Sequence, residues 1–528
     1  MKKILIVLIS LSAFSCTDLN LSPTDAFVDA VVFDDPEAYR SYLAKVYASY
    51  SLTGQQGAAG DGDISIVNDE GFTSYIRAYW KAQELPTDEA VIAWSDAGIR
   101  DLNKQTWSSE NQFVRVLYYR IFYIIAYSND FLAQSTPEKL DEHGISDEWK
   151  AKIAVYRAEV RFLRALAYWH ALDLFRNVPL ITKITTELPS QVSPEELFSF
   201  IEDELTEIEP ILMNPMTNEY SRADRAALWM LQAKLYLNAE VYINQDRYSD
   251  VIKAVDKITS AGYGLHPNYK ELFMADNHNA AAPYSAAPEV IFALTSDGRN
   301  SKSWGNTTFL VHAAIGGSME ATDYGVGGGW AGIRATKKMV EKFGPDPTNL
   351  IFDDPRNVFY TDGQKLEVDT ISEFTNGYAV PKFVNVTSQG DNGVDLDFPD
   401  TDNPIFRLGD AYLMYAEAVK RGGGGDESKA LGYINTLRQR AYGDNSGDIT
   451  AGEFTLELVM DERVREMYWE STRRQDLIRD GKYSGGTYNW PWKGGEKDGT
   501  SIDKIYEIFP IPASDLNVNA NLKQNPGY

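Results

Sequence analysis

The side chains that could carry chemistry in this chain are few, and their spacing is informative. There is one cysteine, Cys16, and there are five histidines, His143, His170, His266, His278 and His312. A zinc ribbon, a Cys-ligated cluster and a disulfide framework are therefore excluded. GGGWAG places Gly327, Gly329 and Gly332 in G-x-G-x-x-G spacing. It follows EATDYGV, not an apolar strand, and no strand–helix alternation surrounds it, which a dinucleotide-binding turn requires. The glycines read instead as a tight backbone path around Trp330. There is no Walker loop, no H-E-x-x-H and no G-x-S-x-G elbow, so nucleotide hydrolysis, zinc proteolysis and the usual hydrolase triad lack support. A pair of acids could serve as a glycosidase dyad, but with 76 Asp and Glu some pairing is unavoidable. Asp61-Gly62-Asp63 offers oxygen ligands of the kind calcium takes; a solvated loop is the plainer account.

Aromatic side chains are the stronger signal. Of eleven Trp, six fall in segments that read as irregular: Trp80, Trp94, Trp304, Trp330, Trp490 and Trp492. Pyranose rings lay apolar C–H faces flat on indole, while their hydroxyls need polar partners at the edge. Taken singly, each Trp reads as a core residue anchoring a loop.

Rigid elements must hold such residues in place, and the helical punctuation supplies them. Asp35-Pro36 opens EAYRSYLAKVYASY, with Pro in the first turn. Long apolar helices are expected over about 111–134 and 147–175, the second ended by Asn177 and Pro179. Ser193-Pro194-Glu195-Glu196 is a capping box opening a helix to about Met213. Another is expected from Ser221 through Tyr242, paired with Arg247 to Ser260, and more near 407–421, 427–441 and 453–480. Several form adjacent pairs resembling tetratricopeptide hairpins without the strict 34-residue period. Residues 55–100, 275–335 and 345–405 are rich in Gly, Asn, Asp, Thr and Pro, as binding loops on a rigid base tend to be. The expectation is a mainly α-helical single domain over 16–528 with an irregular, loop-rich ligand-binding half.

Composition narrows the partners. With 44% apolar and 12% aromatic residues, global disorder is excluded. Lys and Arg number 50 against 76 acids, a net charge of −26, so Coulomb repulsion disfavours a nucleic-acid partner and a neutral ligand fits better. The start MKKILIVLISLSAFSC has a basic pair, an apolar run and small residues before Cys16, which reads as a signal peptide over 1–15. Cys16 would then become the first residue of the mature chain, where acylation gives stable anchoring to a lipid bilayer. A polar leader runs to about residue 30.

Several segments together resemble the SusD/RagB family of surface glycan-binding lipoproteins. They are CTDLNLSP after Cys16, RAEVRFLRALAYWHALDLFRNVPL (157–180), FRLGDAYLMYAEAV (406–419), YINTLRQRA (433–441) and the ending YEIFPIPASDLNVNANLKQNPGY. ELPTDEAVIAW, SWGNTTFLVHA, GGWAGIRATKKMVEKF and WPWKGGEKDGTS are similar to the family's starch-binding founder. In that founder three aromatics cradle an α-glucan while an Arg, an Asp and an Asn bond its hydroxyls. The resemblance implies a glycan-stacking arc of Trp94, Trp304 and Trp330, with Arg77 and Asp69 as hydrogen-bonding groups. Trp304 stands in place of the founder's Tyr, Ala97 in place of its Asn and Ile92 in place of a further Trp. The resemblance also implies an outer-membrane, surface-exposed location. The role it implies is non-catalytic capture of starch or malto-oligosaccharides for nutrient uptake through a SusC-like TonB-dependent transporter. No cofactor is implied, and calcium stays open. Another neutral glycan such as a laminarin-like β-glucan is the alternative, with a surface glycoside hydrolase behind it.

Overall fold

The computed structural model describes residues 33–58, 62–67, 69–278 and 289–528. The expected signal peptide, Cys16, its leader and Asp61 lie outside the described residues. Local signals account for most helices. α1 (Glu37–Ser51) follows Pro36, and α2 (Tyr75–Glu84) follows Ser74. α3 (Gln112–Gln134) starts where Asn111 accepts from the Phe113 and Val114 amides, and α4 (Asp147–Phe175) where Ser146 accepts from Trp149. In α5 (Pro194–Ile208) Ser193 accepts from Glu196 behind an N-terminal Pro. α3 packs on α4 and α4 on α5.

α6 spans Arg225–Leu237 and packs on α7, Tyr248–Thr259. The helix expected from Ser221 begins four residues later, because the Asp224 carboxylate takes the Ala226 and Ala227 amides and caps it there. It also breaks at Asn238, before a short turn at Ala239–Ile243. The loop-rich stretch contributes α8, Asn306–Ala313. Late in the chain come α9 (Leu408–Lys420), α10 (Glu427–Tyr442), α11 (Leu456–Met467) and α12 (Arg473–Arg479). α9 packs against α7, α10 and α11.

The single helix expected over 453–480 is therefore two. At the break Trp469 and Ser471 have φ of +66° and +61°. Carboxylates from far upstream hold it open: Trp469 N donates to Glu89 Oε2 at 3.2 Å and Thr472 N to Glu84 Oε1 at 3.1 Å. A second correction concerns residues 55–100. They are not irregular throughout, since α2 lies within them and each of its ten residues is buried.

Strands are short. β1 (Ala90–Ile92), β3 (Ile333–Ala335) and β4 (Tyr378–Ala379) form an antiparallel sheet in the order β1-β3-β4, with Ile92 opposite Ile333. β2 (Val290–Leu294) pairs with β5 (Asn403–Arg407). One contiguous apolar cluster runs from Phe33 to Leu522 through helices and loops alike. Beside it lies a buried ion network. Arg407 meets Glu466 at 2.6 Å, Glu289 at 2.9 Å and Glu470 at 2.6 Å, and Arg356 meets Asp354, Glu462 and Glu466 within 2.9 Å.

Candidate functional site

β1 and β3 carry the ladder that aims the first indole. Ala93 N donates to Gly332 O at 2.8 Å, one step past the strand pair. This brings Trp94 against the backbone of 330–332, where its Nε1 donates to Trp330 O at 2.9 Å. A Cβ on Gly332 would stand 2.8 Å from the Trp94 ring, so only glycine lets the indole lie there. Arg100 fixes the approach by donating to the Ala93 and Trp94 carbonyls at 2.8 and 2.9 Å.

Trp330 is held by the end of α8. Its N donates to His312 O, Ala331 N to Ile315 O and Gly332 N to Ala313 O, each at 2.8 Å. Gly329 passes so close that a Cβ would be 2.2 Å from Ile315 O. The glycine run thus makes a close-packed strap around Trp330, entering β3 and no helix, as the expectation against a dinucleotide turn requires. Trp304 lies just before α8, its carbonyl accepting from Arg77 Nη1 at 3.1 Å and its ring tilted on Phe398 at 4.6 Å.

These three rings converge although 236 residues separate the first from the last. Trp330 is central, 6.2 Å from Trp94 and 6.1 Å from Trp304, with both outer planes tilted 48° to it. All three are half-buried. They line an open cleft of about 380 Å³ together with Asp69, Phe72, Arg77 and Asp96. Each residue expected for glycan contact therefore lines one cleft. Phe72 and Asp96 join them unforeseen; Asp96 lies two residues past Trp94, and Phe72 three past Asp69.

Arg77 forms the floor. It is buried, with its guanidinium 4.4 Å from the Phe72 ring centroid and 5.5 Å from that of Trp94. Asp69 stands 3.7 Å away and is itself exposed. Burial lowers the Arg77 pKa to about 10, against the pull of Asp69 and Asp96. One turn on, Lys81 is sealed among the rings of Phe72, Phe113 and Phe309; burial, then the charge of Arg77, push its pKa well below 10.5. Such a floor offers flat apolar faces, a cation and two carboxylates to a polyhydroxylated ligand.

Ala97 is exposed and its carbonyl accepts from Gln112, while Ile92 is fully buried in the core; neither lines the cleft. The other Trp stand apart from it. Trp80 is buried in α2 with its Nε1 donating to Trp469 O, and Trp490 belongs to a small cluster with Leu477, Tyr483 and Ile502. Trp492 packs on Val91, Val368 and Ile371. Asp63 forms a two-point pair with Arg120 at 2.6 and 2.8 Å. Among the described residues no group of three His, Cys, Asp or Glu converges as a cation site.

Comparison with known proteins gives consistent results. The SusD family profile matches residues 353–528. Starch-binding protein SusD of Bacteroides thetaiotaomicron is 36% identical, over 99% of this chain and 98% of its own length. SusD-like protein P25 of Formosa agariphila is 24% identical over 70% of this chain and 73% of its own. Among solved structures, a SusD homolog from Bacteroides thetaiotaomicron superposes with a TM-score of 0.71 at 21% identity, covering 95% of this chain and 98% of that one. Surface glycan-binding protein A from the same organism, in complex with laminarihexaose, superposes with a TM-score of 0.68 at 19% identity, covering 93% and 99%.

Proposed function

Because this chain belongs to the SusD family, we propose that it is a surface glycan-binding lipoprotein that captures starch-type α-glucans without cleaving them. The observation that carries the reading is the cleft itself, in which Trp94, Trp330 and Trp304 stand as neighbouring tilted rings above Arg77. A flat platform suits a flat glycan, whereas rings tilted on both sides of a central one suit a chain that bends. Each sugar–ring contact contributes roughly 1–3 kcal/mol by analogy with base stacking. Arg77 donates to ring hydroxyls, and Asp69 and Asp96 accept from them. A preformed arc loses little freedom on binding, and affinity in the micromolar range or weaker leaves release easy.

The test is affinity electrophoresis in amylopectin and calorimetry with maltoheptaose. Replacing Trp94 and Trp330 together with Ala removes two stacking contacts, so retention should fall by about a hundredfold or more. Unfolding temperature should also fall, since both rings are half-buried, so binding is compared at a temperature where the variant is still folded. Retention in laminarin alone would replace the α-glucan with a β-glucan on the same platform. Release of new reducing ends from maltoheptaose on long incubation would overturn the non-catalytic reading.

Delivery to a SusC-like TonB-dependent transporter in the outer membrane completes the proposal, with Cys16 acylated as the anchor. No helix among the described residues is long and apolar enough to cross a membrane. A Cys16→Ala variant should leave the outer-membrane fraction, and co-purification with the barrel tests the partner.

A further inference from the structure

His312, in the last turn of α8, is 2% exposed. Its imidazole stacks beneath Trp330, the central ring of the cleft, with centroids 4.8 Å apart and planes 20° from parallel. Both ring nitrogens face carbonyl oxygens: Nδ1 is 2.6 Å from Gly328 O and Nε2 is 3.0 Å from Asp397 O. A carbonyl only accepts, and a neutral imidazole has one N–H and one lone pair. In the neutral ring one of these contacts therefore sets lone pair against lone pair. The imidazolium alone donates to both.

The two carbonyls sit on different loops. Gly328 belongs to the strap carrying Trp330, and Asp397 to the segment whose Phe398 backs Trp304. The loops also meet where Gly327 N donates to Leu396 O at 3.0 Å. His312 thus clips together the mounts of two rings of the arc from behind, out of a ligand's reach. We propose that His312 is the positioning residue of the indole platform, and that its protonation completes both loop contacts, stiffens the arc and tightens glycan binding. This rests on the glycan reading above and adds a proton linkage to it.

Burial pulls the His312 pKa below its ordinary 6.5, outweighing the two carbonyls and the Asp397 carboxylate, which pull it upward. The ring is accordingly neutral at neutral pH and takes its proton only on acidification below its ordinary 6.5. The charged groups around it are Asp397, the Lys302–Asp395 pair at 2.7 Å on the neighbouring loops, and Arg77, 5.9 Å from the Trp330 centroid. Linkage is reciprocal, so a glycan that prefers the protonated form must raise the His312 pKa when it binds.

Calorimetry with maltoheptaose tests this on the purified protein and its His312→Gln and His312→Phe variants. Wild-type affinity should rise about three- to tenfold from about pH 8 to about pH 5, and both variants should give a flat profile. Should the variants fold poorly, long-range ¹H–¹⁵N NMR on the wild type follows the His312 ring directly. Its midpoint should move up by the same factor when maltoheptaose is added. A wild-type protein that binds with a flat pH profile, a titration indifferent to maltoheptaose, or a pH dependence kept in His312→Gln overturns the role of His312 and leaves the platform standing. Absence of retention on every glycan at every pH removes both.

Discussion

The molecule treats buried arginine in two opposite ways. Around α9 and α11, Arg407 is fully enclosed and meets Glu289, Glu466 and Glu470, with each bond at 2.9 Å or less. Burial alone would raise the pKa of Glu466, yet Arg440, Arg407 and Arg356 hold it well below the carboxylate range. In the cleft Arg77 is nearly as buried, but its carboxylate stands off at 3.7 Å and its Nε has no partner among the described residues. Desolvation wins there, and its pKa falls. A charge satisfied on all sides can only hold structure together. A charge left short of partners in a cleft keeps bonding capacity for something that arrives later, and the fold bears the difference.

The sharpest way to break this contrast is to remove one arginine from each region. Arg407→Ala takes one of their cationic partners from three buried carboxylates, Glu289, Glu466 and Glu470, and truncating one partner of a buried pair typically costs about 3–5 kcal/mol. The urea midpoint should collapse, while glycan affinity of the folded fraction stays unchanged. Arg77→Met keeps the apolar stem and removes a poorly paired charge. Its stability should hold or rise, and maltoheptaose affinity should fall about tenfold or more, as for a lost charge-assisted hydrogen bond of roughly 1.5–3 kcal/mol. If Arg77→Met destabilises as Arg407→Ala does, the cleft arginine is structural and the contrast fails.

The seam between the two regions supplies a prediction of intermediate size. Glu84 and Glu89 hold the break between α11 and α12, and burial raises the Glu89 pKa to about 7 against the pull of Arg473. A raised folded-state pKa contributes stability present below 4.5 and lost as pH climbs towards 7. His170, lowered by burial to about 3, works in the opposite direction below 6.5, so the useful quantity is a difference between variants. Glu89→Gln keeps an acceptor for Trp469 N and removes the titration. Its stability relative to wild type should improve by on the order of 1–2 kcal/mol between about pH 5 and pH 7.5. Parallel urea curves at both values would remove Glu89 from the account.

These residues also show what the chain discloses in one dimension. Asn111, Ser146 and Ser193 cap helices within three residues of themselves, so α3, α4 and α5 begin where the sequence places them. The α11–α12 break is invisible in 453–480 because the groups that hold it, Glu84 and Glu89, lie some 380 residues upstream. α2 carries Arg77, Lys81 and Glu84 at helical spacing, but it lies inside a stretch whose Gly, Asp and Thr content reads as irregular, and that composition masks its period. In the cleft, Trp94, Trp304 and Trp330 were singled out through resemblance, since residues so far apart have no spacing to read. Asp96 and Phe72 sit beside expected residues and carry no mark of their own. His312 gives no signal at all, because both of its oxygen partners come from loops that only folding brings to it.

The smallest effect belongs to Trp304, and it bears on what the arc requires of its rings. One side of that indole is packed on Phe398 at 4.6 Å, so a ligand meets a ring whose tilt is already set from behind. Trp304→Tyr keeps a flat face on the same backing, loses some stacking area and exchanges an N–H for an O–H. Maltoheptaose affinity should change by no more than about threefold, whereas Trp304→Ala should weaken it about tenfold, the loss of roughly 1.4 kcal/mol of stacking. If Tyr is as damaging as Ala while Trp94 and Trp330 variants behave as expected, Trp304 acts as a wedge fitted to Phe398, and the sugar-bearing surface narrows to two rings and the arginine beneath them.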